Sequence, residues 1–211
     1  MGDSDQAAVE MLHTMATMQD EHNQQVHPQW REQGYEYYRA IWVECAEMLD
    51  HFGWKWWKKQ DPDLDQVKLE LVDIWHFALS ELLRADTLAE DAATKLAALE
   101  AKPDPVAFRE SIELLAADSL ASKSFHIEPF AAAMTTLPMS YDELFGMYIG
   151  KNVLNRFRQD HGYKDGSYRK LWNGREDNEH LVEVLTELDA EPDVFAEALY
   201  AALSARYNED V

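Results

Sequence analysis

Leu69-Glu70-Leu71-Val72-Asp73-Ile74-Trp75 is the stretch whose reading decides the fold class. Its apolar residues do not alternate with period two, as a half-buried strand requires, and its two acids stand three apart, which puts them on one face of a helix. Ile41-Trp42-Val43-Glu44-Cys45-Ala46-Glu47-Met48-Leu49 repeats the arrangement with Glu44 and Glu47. Outward from these two stretches, residues 7–25, 35–52, 64–101, 105–122, 140–160 and 177–206 carry apolar residues at mixed i+3 and i+4 spacing. Ala, Leu, Glu and Met dominate them, while Val and Ile are sparse. The expected class is all-α: a helical bundle formed by one domain over 1–211. Residues 101–140, poor in polar chemistry, are expected to form an inserted or mobile helical lobe.

Boundary signals support the division. Gln60-Asp61-Pro62-Asp63-Leu64-Asp65 reads as a loop feeding a helix N-terminus, where acids are favoured by the helix dipole. Lys102-Pro103-Asp104-Pro105 ends an Ala-rich segment, and Ser140 with Glu143 predicts a capping box. Glu191-Pro192-Asp193 is expected to start the last helix.

The chain has 211 residues, 46% of them apolar, with 19 Lys or Arg against 40 Asp or Glu and a net charge of −21. That balance argues against a protein that grips a nucleic acid polymer or an anionic membrane with its whole surface. No apolar run approaches the roughly 20 residues of a membrane helix. A single cysteine excludes a disulfide framework and a Cys-based zinc site and fits a reducing compartment. MGDSDQAAVEMLHTM shows no secretion signal, so a cytoplasmic protein is expected.

The acid doublets carry the chemistry. The turn-rich stretch 53–63 would let the helices bearing Glu44, Glu47, Glu70 and Asp73 run antiparallel, so that the doublets meet at similar height. Converging carboxylates beside apolar surface repel one another unless protonated or neutralised by a cation. Oxygen-only ligands suit hard cations, Mg²⁺ first and Mn²⁺ as the substitute. The plain alternative places both doublets on solvated faces. Asp73-x-x-His76 and Glu10-x-x-His13 also permit a ferritin-like di-iron bundle, although that architecture uses Glu in both pairs. For His76 a core or supporting place is the ordinary expectation, and for Cys45 an inert buried thiol.

The cations are unevenly spread. Lys151, Arg156, Arg158, Lys164, Arg169, Lys170 and Arg175 lie within residues 151–175, and Gly53-Trp54-Lys55-Trp56-Trp57-Lys58-Lys59 holds three more. Such islands suit a small polyanion such as a nucleotide's phosphates. The lysines could equally pair with surplus acids, and at least one of the tryptophans is expected in the core or a dimer contact. Acids that want a metal and a loop that wants phosphate together suggest metal-assisted phosphoanhydride cleavage.

The residues resemble the dimeric all-α dUTPases, within the all-α nucleoside triphosphate pyrophosphatase superfamily. The resemblance rests on ordered blocks over about residues 11–84 and 145–180: Met18-Gln19-Asp20-Glu21-His22-Asn23; Glu44-Cys45-Ala46-Glu47 with Trp54-Lys55-x-Trp57-Lys58; and Glu70-Leu71-Val72-Asp73-Ile74-Trp75-His76-Phe77. It continues in Gly150-Lys151-Asn152-x-Leu154-Asn155-x-Phe157-Arg158, His161-Gly162-Tyr163-Lys164-Asp165-Gly166-Ser167-Tyr168 and Trp172-Asn173-Gly174-x-Glu176-Asp177-Asn178. The resemblance implies a homodimer that hydrolyses dUTP, and dUDP, to dUMP with metal-activated water. It implies Mg²⁺ on Glu44, Glu47, Glu70 and Asp73, with Glu44 and Glu47 catalytic and Glu44 activating the water. Gln19 and Asn23 would read the uracil edge, with Trp57 near base or sugar. Lys151, Asn155, Arg158, Lys164 and Tyr168 would grip phosphates or order the closing loop, and Asn178 would contact the nucleoside. An amide can serve uracil or cytosine by flipping, so a related enzyme acting on dCTP or non-standard nucleotides stays open, as does a catalytically dead nucleotide binder. Residues 85–140 match no family motif.

Overall fold

The computed structural model describes residues 2–189 and 194–208, and the expected helix start at Glu191-Pro192-Asp193 lies outside them. The chain forms two compact units, Met1–Phe145 and Gly146–Val211. In the first, α1 (Asp3–Val26) is followed by a 3-10 turn (Trp30–Glu32), α2 (Tyr37–Phe52), α3 (Leu64–Ala85), α4 (Asp91–Ala97), α5 (Pro105–Ser122), α6 (Ile127–Thr136) and the start of α7 (Tyr141–Asp160). The second holds the rest of α7, β1 (Leu171–Trp172), β2 (Arg175–Glu176), α8 (Asp177–Glu187) and α9 (Phe195–Asn208).

α3 is the central helix of the first unit. Val67, Leu69, Leu71, Val72, Ile74, Trp75, Ala78 and Leu79 are all fully buried, so apolar groups occupy most of its circumference. A helix buried on that many sides needs neighbours all round. α1 and α2 pack on it directly, and α5 packs on α2. Trp75 stacks on Phe130 of α6 at 5.2 Å, and Phe52 meets Phe108 of α5 edge-on at 4.6 Å. Each buried large side chain contributes about 1.5–3 kcal/mol over leaving it in water. Residues 105–136 therefore pack within the first unit through α2 and α6.

The local signals are largely realised. Asp63 caps α3 by accepting from the Gln66 amide, and Asp104 caps α5 by accepting from Val106 and Ala107, with Pro105 in the first turn. The box at Ser140 is made on one side: the Glu143 amide donates to Ser140 Oγ, but the Glu143 carboxylate accepts from Lys68 Nζ at 2.6 Å. The expected run 64–101 is broken, because Asp86 closes α3 in the left-handed region (φ 56°) and α4 starts only at Asp91. A short antiparallel pairing also departs from the purely helical expectation. Trp172 pairs with Arg175 across Asn173-Gly174, both at positive φ (51° and 79°). That dipeptide favours the two-residue hairpin turn whose twist matches paired strands.

Candidate active site and metal centre

α2 and α3 run antiparallel. His51 at the end of α2 receives the Asp63 amide, His51 Nε2 lies 3.5 Å from Glu70 Oε1, and Tyr37 at the start of α2 lies in the field of Glu81 and Arg84. This order brings the two doublets to one height. Glu44, Glu47 and Glu70 offer oxygens that lie within 4.8 Å of one another. Asp73 flanks them and is the strongest charge acting on Glu44. Glu47 is exposed, Glu44 and Asp73 are half-buried, and Glu70 is buried at 5% exposure.

The electrostatics of the cluster are those of a site that needs positive charge. Burial, then the Asp73 charge, a hydrogen bond to Glu70 and the Glu70 and Glu47 charges push the Glu44 carboxyl up to about 9. Without a cation, Glu44 keeps its proton at neutral pH and gives it to Glu70 as a hydrogen bond. A hard divalent cation does the proton's work more completely, and the all-oxygen donor set fits one. Among the described residues neither His13 nor His76 joins this group: His13 pairs with Glu90 at 3.3 Å and His76 Nδ1 lies 2.9 Å from the Val72 carbonyl. The Glu-x-x-His arrangement of a di-iron bundle is therefore not assembled there.

The loop after α2 is built on Gly53, whose φ of 89° and whose contact with Gln60, 2.9 Å from where a Cβ would stand, leave no place for a side chain. Gln60 Oε1 then accepts from the Trp54 and Lys55 amides at 3.0 and 2.7 Å. This holds Trp57 at 57% exposure, edge-on to Trp54 and Trp56 at 5.3 and 5.4 Å. None of the three tryptophans is in the core of the chain, which corrects the core half of the expectation; the dimer contact named beside it concerns a second copy. Cys45 is buried, and burial followed by the Glu44 charge pushes its thiol up to about 12, as an inert thiol requires.

Gln19 and Asn23 come together on α1 facing α3, both buried. Gln19 Nε2 donates to Asn23 Oδ1 at 3.1 Å and to Ser80 Oγ at 3.0 Å, and Asn23 Nδ2 donates to Ser80 Oγ at 2.9 Å. The sequence reading missed Ser80. Its signal was available, because Glu70, Asp73, Phe77, Ser80 and Arg84 continue one helical face at three- and four-residue steps.

In the second unit, Asp177 is fully buried and accepts from Arg158 Nε at 2.8 Å, Arg158 Nη2 at 2.9 Å and the Tyr168 hydroxyl at 2.9 Å. Asn178 Oδ1 accepts from Lys151 Nζ at 2.9 Å and Arg158 Nη2 at 3.3 Å, and Asn155 Oδ1 accepts from Arg158 Nη1 at 3.2 Å. Burial alone would raise the Asp177 carboxyl, but the Arg158 bonds and charge, with Tyr168 and Lys151, hold it below the usual range. Five expected binding residues, Lys151, Asn155, Arg158, Tyr168 and Asn178, thus form one network around an acid that sequence reasoning had not selected. Lys164 lies on the exposed part of the loop, outside that network.

A family model described as dUTPase matches residues 11–163. The chain belongs to the dUTPase family. It is an enzyme, a dUTP diphosphatase of the all-α kind, and enzymes of this family use a divalent metal. No curated protein matches the chain. The matched stretch of the dUTPase includes the acid cluster, the amide pair and α7, and ends before the hairpin, α8 and α9. No helix among the described residues is long and apolar enough to cross a membrane.

Proposed function

We propose that this dUTPase hydrolyses dUTP, and also dUDP, to dUMP with Mg²⁺ held by Glu44, Glu47, Glu70 and Asp73, Mn²⁺ being the substitute. The observation that carries the reading is the convergence of Glu44, Glu47 and Glu70 oxygens within 4.8 Å on two antiparallel helices. Mg²⁺, when bound, supplies the positive charge that screens the phosphoryl oxygens and acidifies water. Glu44, half-buried beside Glu47, Glu70 and Asp73, is placed to take the proton of the attacking water at its carboxylate. Glu47, exposed to solvent, orients that water or the cation. Lys151, Asn155, Arg158, Lys164 and Tyr168 are proposed for the phosphates and Asn178 for the nucleoside, which suits them to place charge where it builds up. Trp57, exposed and flat, suits contact with base or sugar.

Gln19 and Asn23 are proposed to read the uracil edge. The amide cluster with Ser80 supports this, since buried polar groups left mispaired by the wrong base are costly. Exposed Trp42, Val43, Val106 and Leu114 supply apolar surface in keeping with a homodimer, and the free, buried Cys45 is in keeping with the cytoplasm. The test is a panel of deoxynucleoside triphosphates, with dUDP, assayed with Mg²⁺, with Mn²⁺ and after chelation. Turnover of dUTP and dUDP to dUMP, lost on chelation, is expected, and Glu47→Gln should lower it by at least the 10–100-fold typical of losing a group that supports a metal. Undiminished hydrolysis in that variant removes the metal assignment.

A further inference from the structure

Residues 85–140 carry none of the motif blocks, yet α5 within them reaches the loop that bears Trp57. Arg109 Nε donates to the Gly53 carbonyl at 2.9 Å, where α2 ends and the loop begins. Gly53 is buried, so that carbonyl has little water to turn to and takes its hydrogen bond from the protein. The guanidinium is held on two further sides. Nη1 donates to the Pro105 carbonyl at 3.2 Å, and the central carbon lies 5.1 Å from the centre of the Phe52 ring. A planar fork meets two carbonyls and a ring at once, which the point charge of an ammonium does not. The loop hangs from this point. Gln60 Oε1 gathers the Trp54 and Lys55 amides, and Asp50 on the last turn of α2 accepts from Trp54 Nε1 at 3.1 Å and Lys55 Nζ at 2.6 Å. The Lys58 amide returns to the Lys55 carbonyl at 3.2 Å, closing a turn over Trp56 and Trp57.

We propose that Arg109 is a positioning residue of the substrate site: by holding the Gly53 carbonyl it sets the direction in which the Trp54–Gln60 loop leaves α2, and so presents Trp57 to the base or sugar of the nucleotide. The inference rests on the proposed role of Trp57, and Arg109 acts only through the loop. A base or sugar contact lies away from the reacting phosphoryl group and serves substrate and transition state alike, so weakening it raises KM and leaves kcat. A general loosening of α2 would instead displace Glu44 and Glu47, which lie on that helix, and lower kcat.

The experiment measures kcat and KM for dUTP with Mg²⁺ on the full chain, for the natural protein, Arg109→Met, Trp57→Ala and the double variant. Tryptic cleavage after Lys55, Lys58 and Lys59 is followed on each. Arg109→Met keeps the apolar stem beside Phe52 and removes both donors. It is expected to raise KM about 3- to 10-fold, the loss of one hydrogen bond, at unchanged kcat. It should also speed cleavage in the loop and add nothing to KM in the Trp57→Ala background. Arg109→Lys, which reaches one carbonyl but not both, should fall between Met and the natural chain, and if Met does not fold by circular dichroism Lys is read in its place. A fall in kcat at unchanged KM, a KM effect that persists in the Trp57→Ala background, or loop cleavage at the natural rate overturns the positioning role. If Trp57→Ala itself leaves KM unchanged, the substrate role of Trp57 is overturned instead, and the loop cleavage of Arg109→Met still decides whether Arg109 braces the loop.

Discussion

Asp177 shows at the scale of one residue how a buried charge can organise its surroundings. A carboxylate at 0% exposure survives because Arg158 meets it with two nitrogens and Tyr168 with its hydroxyl. Bidentate pairing fixes the plane of the guanidinium as well as its distance. Removing one partner of such a pair leaves the other charge buried alone, which costs about 3–5 kcal/mol, far more than an exposed ion pair contributes. Asp177→Asn is therefore expected to lower the melting temperature by roughly 6–20 °C, using the 2–4 °C per kcal/mol of a domain this size. Tyr168→Phe, which loses one hydrogen bond, should cost well under half as much. Calorimetry on the two variants checks the order; equal melting temperatures for Asp177→Asn and the natural chain would show that the pair contributes nothing.

The same network depends on an element, α9. The Tyr207 ring stacks parallel to Tyr168 at 5.7 Å, meets Phe157, Trp172 and His161 edge-on, and lies under the Arg169 guanidinium at 4.4 Å. Arg206 ties α9 to Glu183 and Glu187 of α8 at 2.6 and 2.7 Å. Tyr207→Ala is expected to loosen residues 161–170 and to speed tryptic cleavage at Lys164, Arg169 and Lys170 about 3- to 10-fold, as loss of an aromatic pair would. Tyr207→Phe, which keeps the ring and loses only the long hydrogen bond that the hydroxyl accepts from the Arg169 amide at 3.4 Å, should cleave much less readily than Tyr207→Ala, and digestion of Tyr207→Ala identical to the natural chain's would mean that α9 does not brace the loop. Neither α9's role nor Asp177 was legible in the sequence, because both rest on contacts between residues far apart in the chain. The helix caps at Asp63 and Asp104 and the two acid doublets were legible, because their chemistry closes within one turn. Asn173-Gly174 carried a hairpin signal that the helical reading passed over. The break at Asp86 had no local signal comparable to a glycine or proline.

At the scale of the molecule, a net charge of −21 favours any process that binds protons or cations, but the two units respond to pH with opposite sign. In the metal-free first unit, Glu44 is raised from 4.5 to about 9, so the folded state binds more protons than the unfolded chain between those values. Its contribution is complete below the unfolded value and is lost as pH rises toward 9. In the second unit, Asp177 is lowered, so its contribution is present above the unfolded value of 3.8 and is lost as pH falls through the folded one. Hydrogen exchange of the chelated protein, corrected for intrinsic rates, should show α2 and α3 better protected at pH 5.5 than at pH 8.5. α8 should keep its protection across that window and lose it below about pH 4, the ordinary carboxylate range. At the proposed site Mg²⁺ would compete with the Glu44 proton, so adding it should protect α2 and α3 most at pH 8.5, where the proton is held least firmly. Protection of α2 and α3 that rises with pH in the absence of metal would contradict the raised proton affinity of Glu44. An Mg²⁺ effect equal at both pH values would mean that the ion binds somewhere other than beside that carboxyl.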